Sequence, residues 1–197
     1  MRVFLMDNSI SKWERETGVA FLSKIGLRSG QVILDFGARV GRYTIPAATI
    51  AGEEGVVFAV DKEQDSLDEL KSKADKIGLN NIKTINNSGK LEIDLDDETV
   101  DMILLYDVLH YFNVQQRKDV YNEVFRLLKV NGLLSVYPKH VIGDSPADGF
   151  KDLHLDDVIE EIERIGFSYQ RRYCATISHN DSLNEGCVLN FRKSKSK

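Results

Sequence analysis

The stretch Gln31-Val-Ile-Leu-Asp-Phe-Gly-Ala-Arg-Val-Gly-Arg-Tyr-Thr-Ile-Pro-Ala-Ala48 restricts this chain more than any other. Val32 to Asp35 reads as a buried strand, Gly37 and Gly41 bracket a tight turn, and Thr44 to Ile50 reads as a helix packed back on the sheet. A strand, a glycine-bearing turn and a helix make the front half of a nucleotide-type binding unit. Glycine lets the main chain approach a ligand closely. The following helix aims free N–H groups and a partial positive charge at the turn. The second half follows on schedule. Gly55-Val-Val-Phe-Ala-Val-Asp61 is another apolar strand ending in an acid, twenty residues after Gly41. That spacing suits a carboxylate at a strand tip, accepting hydrogen bonds from two ribose hydroxyls.

The turn lacks the Gly-x-Gly-x-x-Gly pattern, which makes a nicotinamide dinucleotide a poor reading. Asp35-x-Gly37-x-x-x-Gly41 instead resembles motif I of the class I S-adenosylmethionine-dependent methyltransferases, and Asp61 matches the acid of their motif II. One departure stands out. Where that family has a middle glycine lying against the cofactor, this chain has Arg39. An arginine there can fold away, pair with the cofactor carboxylate, or occupy the site.

The rest of the chain fits the same plan. Residues 9–26 read as a lead-in helix capped by Ser9 or Ser11, with Trp13, Val19, Ala20, Leu22 and Ile25 apolar and Gly26 as the stop. Glu63 to Ile77 is an amphipathic helix burying Leu67, Leu70, Ala74 and Ile77. Ile82 to Ile85 is a third strand, followed by the turn Asn86-Asn-Ser-Gly89, and Asp94 to Glu98 reads as a solvated acidic loop. Val100 to Tyr106 is apolar enough for a central parallel strand. It leads into Asp107-Val-Leu-His-Tyr-Phe112, which resembles motif IV of the family. Gln115 to Lys129 is a helix with a glycine stop at Gly132, and Leu133 to Tyr137 is a fifth strand ending in Pro138-Lys-His140. Val141 to Lys151 reads as a loop and a possible lid, and Leu153 to Ile165 as a helix. A strand from Gly166 to Ser178, a polar connection over 179–186 and a last strand Cys187 to Phe191 precede a basic tail. The resemblance implies a Rossmann-like α/β fold, a seven-stranded, mostly parallel sheet of order 3-2-1-4-5-7-6 with helices on both faces.

Composition narrows the function. At 197 residues one domain is expected. A net charge of −5 argues against broad nucleic-acid binding, which needs a basic surface. No apolar run reaches the ~20 residues that span a bilayer, and Met1 to Asp7 is too short and too soon acidic for a secretory signal, so a cytoplasmic location is expected. Cys174 and Cys187 form no metal motif. They can face one another across a C-terminal hairpin, as two small half-buried apolar residues in a reducing compartment.

The resemblance also assigns roles, residue by residue. Asp35 would help hold the methionine amino group, Gly37 and Gly41 would shape the turn with Arg39 between them, and Asp61 would take the ribose hydroxyls. Lys62 would flank the adenine or ribose, Asn87 and Ser88 would meet the adenine edge, and Tyr106 would lie beside the methionine moiety. The carboxyl ends of the central strands are where ligands bind in such sheets. There Tyr106, Asp107, His110 and Tyr111 are wall candidates, and His110, Tyr111, Tyr137, Lys139 and His140 are acceptor-side candidates. Of these, His110, Tyr111 and His140 are the catalytic ones, since an imidazole can take up a proton near neutrality. Packing of His110 on the next helix and a salt bridge of Lys139 remain open beside those roles. The implied reaction is methyl transfer from S-adenosyl-L-methionine. The chain has no Asn-Pro-Pro-Tyr, no Pro-Cys and no cysteine cluster to name the acceptor, and a small molecule is expected from the compact size and acidic pI. A non-catalytic binding or scaffold protein of the same fold, and an enzyme acting on RNA or protein, are the alternatives. Oligomeric state is open.

Overall fold

A computed structural model of the chain describes residues 9–194. The expectations for Met1 to Asp7 and for the end of the basic tail lie outside them. Seven strands form one sheet: β1 (Val32–Phe36), β2 (Val56–Asp61), β3 (Ile82–Asn86), β4 (Val100–Tyr106), β5 (Leu128–Tyr137), β6 (Phe167–His179) and β7 (Ser182–Lys193). Their order is β3-β2-β1-β4-β5-β7-β6, as expected. β1 to β5 are parallel, and β7 is antiparallel to both β5 and β6. The helices are α1 (Gly18–Ile25), α2 (Thr44–Ala51), α3 (Gln64–Lys76), α4 (Val114–Leu127) and α5 (Leu155–Glu163).

Strand alternation divides the apolar residues between two faces. Ile33, Val57, Ala59, Met102 and Leu104 pack with Leu22 of α1, Ala47 and Ala48 of α2 and Leu70 of α3. Leu34, Phe36, Val60, Ile103 and Leu105 pack with Val120 and Val124 of α4 and Val158 and Ile162 of α5. Parallel strands covered on both sides need continuous apolar runs, and β4 has one.

Several local expectations change. The lead-in segment contains a π-helical turn, Trp13–Thr17, ahead of α1. This turn seats Trp13 fully in the core, where its indole N–H donates to the Arg42 carbonyl at 2.8 Å. Phe21 is buried in that helix and Ala20 is exposed. Ile77 is 47% exposed, because α3 ends at Lys76 and Ile77 leaves the buried stripe. α4 starts one residue early on an Asn113–Gln116 capping box and stops at Leu127. Leu128 is already extended, so Gly132 lies in an irregular part of β5 rather than ending the helix. The acidic loop is not simply solvated. Arg126 donates to Asp97 and to the Leu95 and Ile93 carbonyls, and Lys193 pairs with Glu98. The stretch Val141 to Lys151 is pinned by Phe150, which is fully buried against the Arg117 guanidinium.

The largest difference is at the carboxyl end. β6 and β7 form a long hairpin whose connection is only Asn180 and Asp181, in place of an eight-residue linker. Cys174 and Cys187 face each other across it, as expected, but they are joined in a disulfide and Cys174 is exposed. The reading of them as unlinked half-buried residues is overturned: direct opposition in an antiparallel pair brings the two sulfurs together. Among the described residues no helix is long and apolar enough to cross a membrane.

Candidate functional site

Two side-chain groups sit at the carboxyl ends of the parallel strands, where the open sheet offers a crevice.

The first is built by the β1 turn and the β2 end. Gly37 and Gly41 have φ of +84° and +87°, which L side chains seldom adopt. A Cβ at Gly37 would lie 2.2 Å from Val108 Cγ1, and one at Gly41 would lie 2.3 Å from Leu70 Cδ1. The turn is closed by the Gly37 and Ala38 N–H groups donating to the Val60 carbonyl. Asp61 is 7% exposed. One of its oxygens accepts from the Arg39 N–H at 2.7 Å and the other from the Glu63 N–H at 3.0 Å. The carboxylate is thereby fixed in orientation while each oxygen keeps acceptor capacity. Asp35 is buried and accepts from the Thr44 hydroxyl at 2.6 Å. Burial pushes its carboxyl up to about 7, against the Thr44 bond, and the Asp61 charge adds to the rise. A buried carboxyl in this condition favours a cation beside it.

Arg39 has φ +46°, the left-handed region that a glycine would occupy without strain. Its guanidinium does not bend into the turn. It is exposed and donates to Asn180 Oδ1 at 2.6 Å, at the tip of the β6–β7 hairpin. Arg42 pairs with Asp181 at 2.9 Å and with Glu14. Arg42 also holds the Asp181 carboxyl below its ordinary range. The motif turn and the hairpin tip are thus tied twice.

The other expected cofactor residues are placed as follows. Lys62 is exposed. Asn87 uses its amide within its own turn, donating to the Lys90 carbonyl and accepting from the Gly89 N–H. Ser88 donates twice to Asn86. Tyr106 is buried edge-on to Tyr43 and shares a 2.7 Å hydrogen bond with Ser135.

The second group gathers the acceptor-side candidates. His110 is buried, and its ring lies tilted against Tyr111 (centroids 3.9 Å) and edge-on to His140 (4.5 Å). Tyr111 is 71% exposed. Lys139 is buried and paired with Asp144, the salt bridge left open beside its acceptor role. Tyr137 is buried in the core. Asp107 lies between His110, His140 and a residue that sequence reasoning left in a linker, His179. The His179 Nδ1 is 2.6 Å from Asp107 Oδ2, across 72 residues of chain. No local pattern marks His179. Only the short hairpin places it here.

The family model described as "Methyltransferase domain" matches residues 33–132. A probable cobalt-precorrin-6B C(15)-methyltransferase (decarboxylating) of Sulfurisphaera tokodaii is 31% identical over 102 residues, 52% of this chain and 53% of that protein. A ubiquinone/menaquinone biosynthesis C-methyltransferase of Marinomonas sp. is 28% identical over 134 residues, 67% of this chain and 51% of that protein. The chain thus spans about half the length of these curated relatives. Among solved structures, a SAM dependent methyltransferase from Aquifex aeolicus superposes with a TM-score of 0.72 at 21% identity, covering 94% of this chain and 97% of that one.

Proposed function

Because the chain belongs to the methyltransferase-domain family, we propose that it is an enzyme that binds S-adenosyl-L-methionine and methylates a small organic molecule. The observation that carries this reading is the pairing of Asp35 and Asp61 at the ends of adjacent strands, around a turn that excludes side chains at Gly37 and Gly41. The residues present fit the cofactor. Asp61, fixed by two backbone N–H groups, would accept from the ribose hydroxyls. Asp35 would meet the ammonium of the methionine portion, which supplies the cation that its buried carboxyl favours. Lys62, Asn87 and Ser88 would border the adenosine end, and Tyr106 would form the wall behind the methionine portion. When bound, the cofactor supplies an electrophilic methyl group on a sulfonium.

The chain's part is to align and to exclude water. His110, Tyr111 and His140 would face the acceptor. An imidazole there can take a proton from an acceptor that loses one. The Arg39 side chain, held toward Asn180, supports a working turn over the non-catalytic reading. The small-molecule acceptor is supported by the relatives, both named for methylation of small molecules, and by the net charge of −5.

The test is calorimetric titration with S-adenosylmethionine and S-adenosylhomocysteine, followed by methyl transfer to panels of small-molecule extract. Saturable binding of both and label in a small-molecule fraction are expected. Binding of neither would mean a non-catalytic member of the fold. Label only in RNA or protein would replace the acceptor class.

A further inference from the structure

Three strand ends deliver donors to one point. Asp107 follows β4, His140 follows β5 and His179 closes β6. One Asp107 carboxylate oxygen, one ring nitrogen of His140 and one of His179 all lie within 4.8 Å of one another. Three of the chain's four histidines, counting His110, crowd this single acid.

The hydrogen bonds define what each donor offers. His140 Nδ1 is 2.8 Å from the Ser145 carbonyl, which can only accept, so this nitrogen carries the proton. In the neutral ring the lone pair is then on Nε2, and Nε2 faces Asp107 Oδ1 at 3.7 Å. That distance is too long for a hydrogen bond. Among the described residues Asp107 Oδ1 is buried without a hydrogen-bond partner, and His110 Nδ1 also approaches it only to 3.6 Å. A lone pair therefore faces a carboxylate oxygen across a gap, and an electrostatically favourable occupant of the gap is a cation. A ring whose far nitrogen donates to a backbone carbonyl is also how metal-bound histidines are held in orientation. Asp107 and His140 have φ of +56° and +75°. Asp and His enter that region more readily than most side chains, so these angles are compatible with the site.

The geometry points to a divalent transition-metal site whose ligands are Asp107, His140 and His179, a two-histidine, one-carboxylate set with coordination positions left open. Metal–nitrogen and metal–oxygen bonds of about 2.0–2.2 Å suit donors spaced as Oδ1 and His140 Nε2 are. His179 currently donates from Nδ1 to Asp107 Oδ2. Binding an ion through Nδ1 moves that ring proton to Nε2 or to solvent and opens this bond. Two imidazoles and a carboxylate suit zinc, iron, cobalt or nickel better than magnesium or calcium. The open positions would take an acceptor that carries an oxygen or nitrogen donor. That role, unlike the site, rests on the methyltransferase reading; with Nε2 on the metal and Nδ1–H on Ser145, His140 would hold the ion, and the proton-accepting imidazole of that reading would be His110.

The experiment uses the full chain, treated with chelator and without cofactor or acceptor, titrated with Co²⁺ and then with competing Zn²⁺. The expected result is one equivalent of Co²⁺ with visible d–d absorption, displaced by Zn²⁺. His140→Gln and His179→Gln should each weaken binding at least about tenfold, the scale seen when a metal site loses a supporting group. His154→Gln, at an exposed helix cap outside the donor set, should leave it unchanged. Circular dichroism identifies any variant that does not fold, and the wild-type titration then decides alone. No saturable one-equivalent binding by the wild type overturns the site. So does affinity that survives His179→Gln, or a nuclear magnetic resonance spectrum showing a proton held on His140 Nε2 that excess Co²⁺ does not displace. Because no methyl transfer is read, failure here is distinct from failure of the calorimetry with S-adenosylmethionine.

Discussion

The cofactor-side rim and the acceptor-side rim lie on the same sheet edge but are assembled in opposite ways. The first comes from one continuous stretch and the next strand, residues 35 to 61, and is fixed mainly by backbone: positive-φ glycines, N–H groups on the Asp61 carboxylate, carbonyls closing the turn. The second is drawn from three segments, and its members meet only as side chains, Asp107 with His110, His140 and His179. Backbone-built sites tolerate few residue types at their turns. Side-chain-built sites depend on the register of remote strands.

Gly37→Ala should break the first rim most severely. The added Cβ would overlap Val108 and hold a left-handed φ of +84°. Such a conformation alone costs about 1–3 kcal/mol, and the overlap adds to it. We expect a melting midpoint lower by several degrees and loss of most cofactor affinity, read by calorimetry. Wild-type affinity would show that the turn relaxes freely and that backbone does not define this rim.

Asp61→Ala comes next. It removes an acceptor for the ribose and leaves the Arg39 and Glu63 N–H groups without their partner. Hydrogen bonds to a charged group are worth about 1.5–3 kcal/mol, so cofactor affinity should fall about 10- to 150-fold. Unchanged affinity would move the ribose elsewhere.

The difference in construction also decides what could be read from the residues. The turn was legible because Asp35, Gly37, Gly41 and Asp61 carry their spacing in the chain itself. The alternation of apolar strands and amphipathic helices pointed to an α/β sheet, and the strand order came from the resemblance to the methyltransferase family. His140 and Asp107 were legible as rim residues because each directly follows a strand. His179 was not, since its place depends on a two-residue connection, and the sequence 179–186 is polar enough to read as a linker. The Arg39–Asn180 and Arg42–Asp181 ties were hidden for the same reason. The pair of buried Arg117 with half-buried Glu161, joining α4 and α5, lies in two ordinary charged helix faces and had no pattern to betray it.

A pH series sharpens the comparison at Asp35. Its carboxyl titrates near 7 in the free protein because it is buried. Below that pH it is mostly protonated, and an arriving ammonium favours the carboxylate, so binding releases a proton. Above that pH the group is already ionised and no proton is released. Affinity for S-adenosylmethionine should therefore rise with pH up to about 7, by at most tenfold per unit, or about 1.4 kcal/mol, and level off beyond it. Calorimetry in two buffers of different ionisation enthalpy reads the released proton directly. Asp35→Asn should flatten the dependence. An undiminished slope in that variant would assign the proton to another group.

The smallest effect expected is the most informative about how the rims communicate. Arg39→Gly removes one hydrogen bond to Asn180, a neutral partner at an exposed site, worth about 0.5–1.5 kcal/mol. It also relieves a left-handed φ that glycine accepts without cost. The two changes oppose each other, so stability should move by less than about 1 kcal/mol. The guanidinium is outside the turn, so cofactor affinity should change by no more than about threefold, and the Arg39 N–H that holds Asp61 is retained in the glycine. What the variant does loosen is the hairpin tip beside His179, where the Arg42–Asp181 pair and the Tyr43 hydroxyl donating to the Ser178 carbonyl remain. Hydrogen exchange at Asn180 and Asp181 should therefore quicken while exchange at the β1 turn does not. A large gain in cofactor affinity would mean instead that the arginine visits the pocket, and a large loss would mean that it touches the cofactor. Either result would join the two rims into one site through a side chain rather than leave them as neighbours tied at the hairpin.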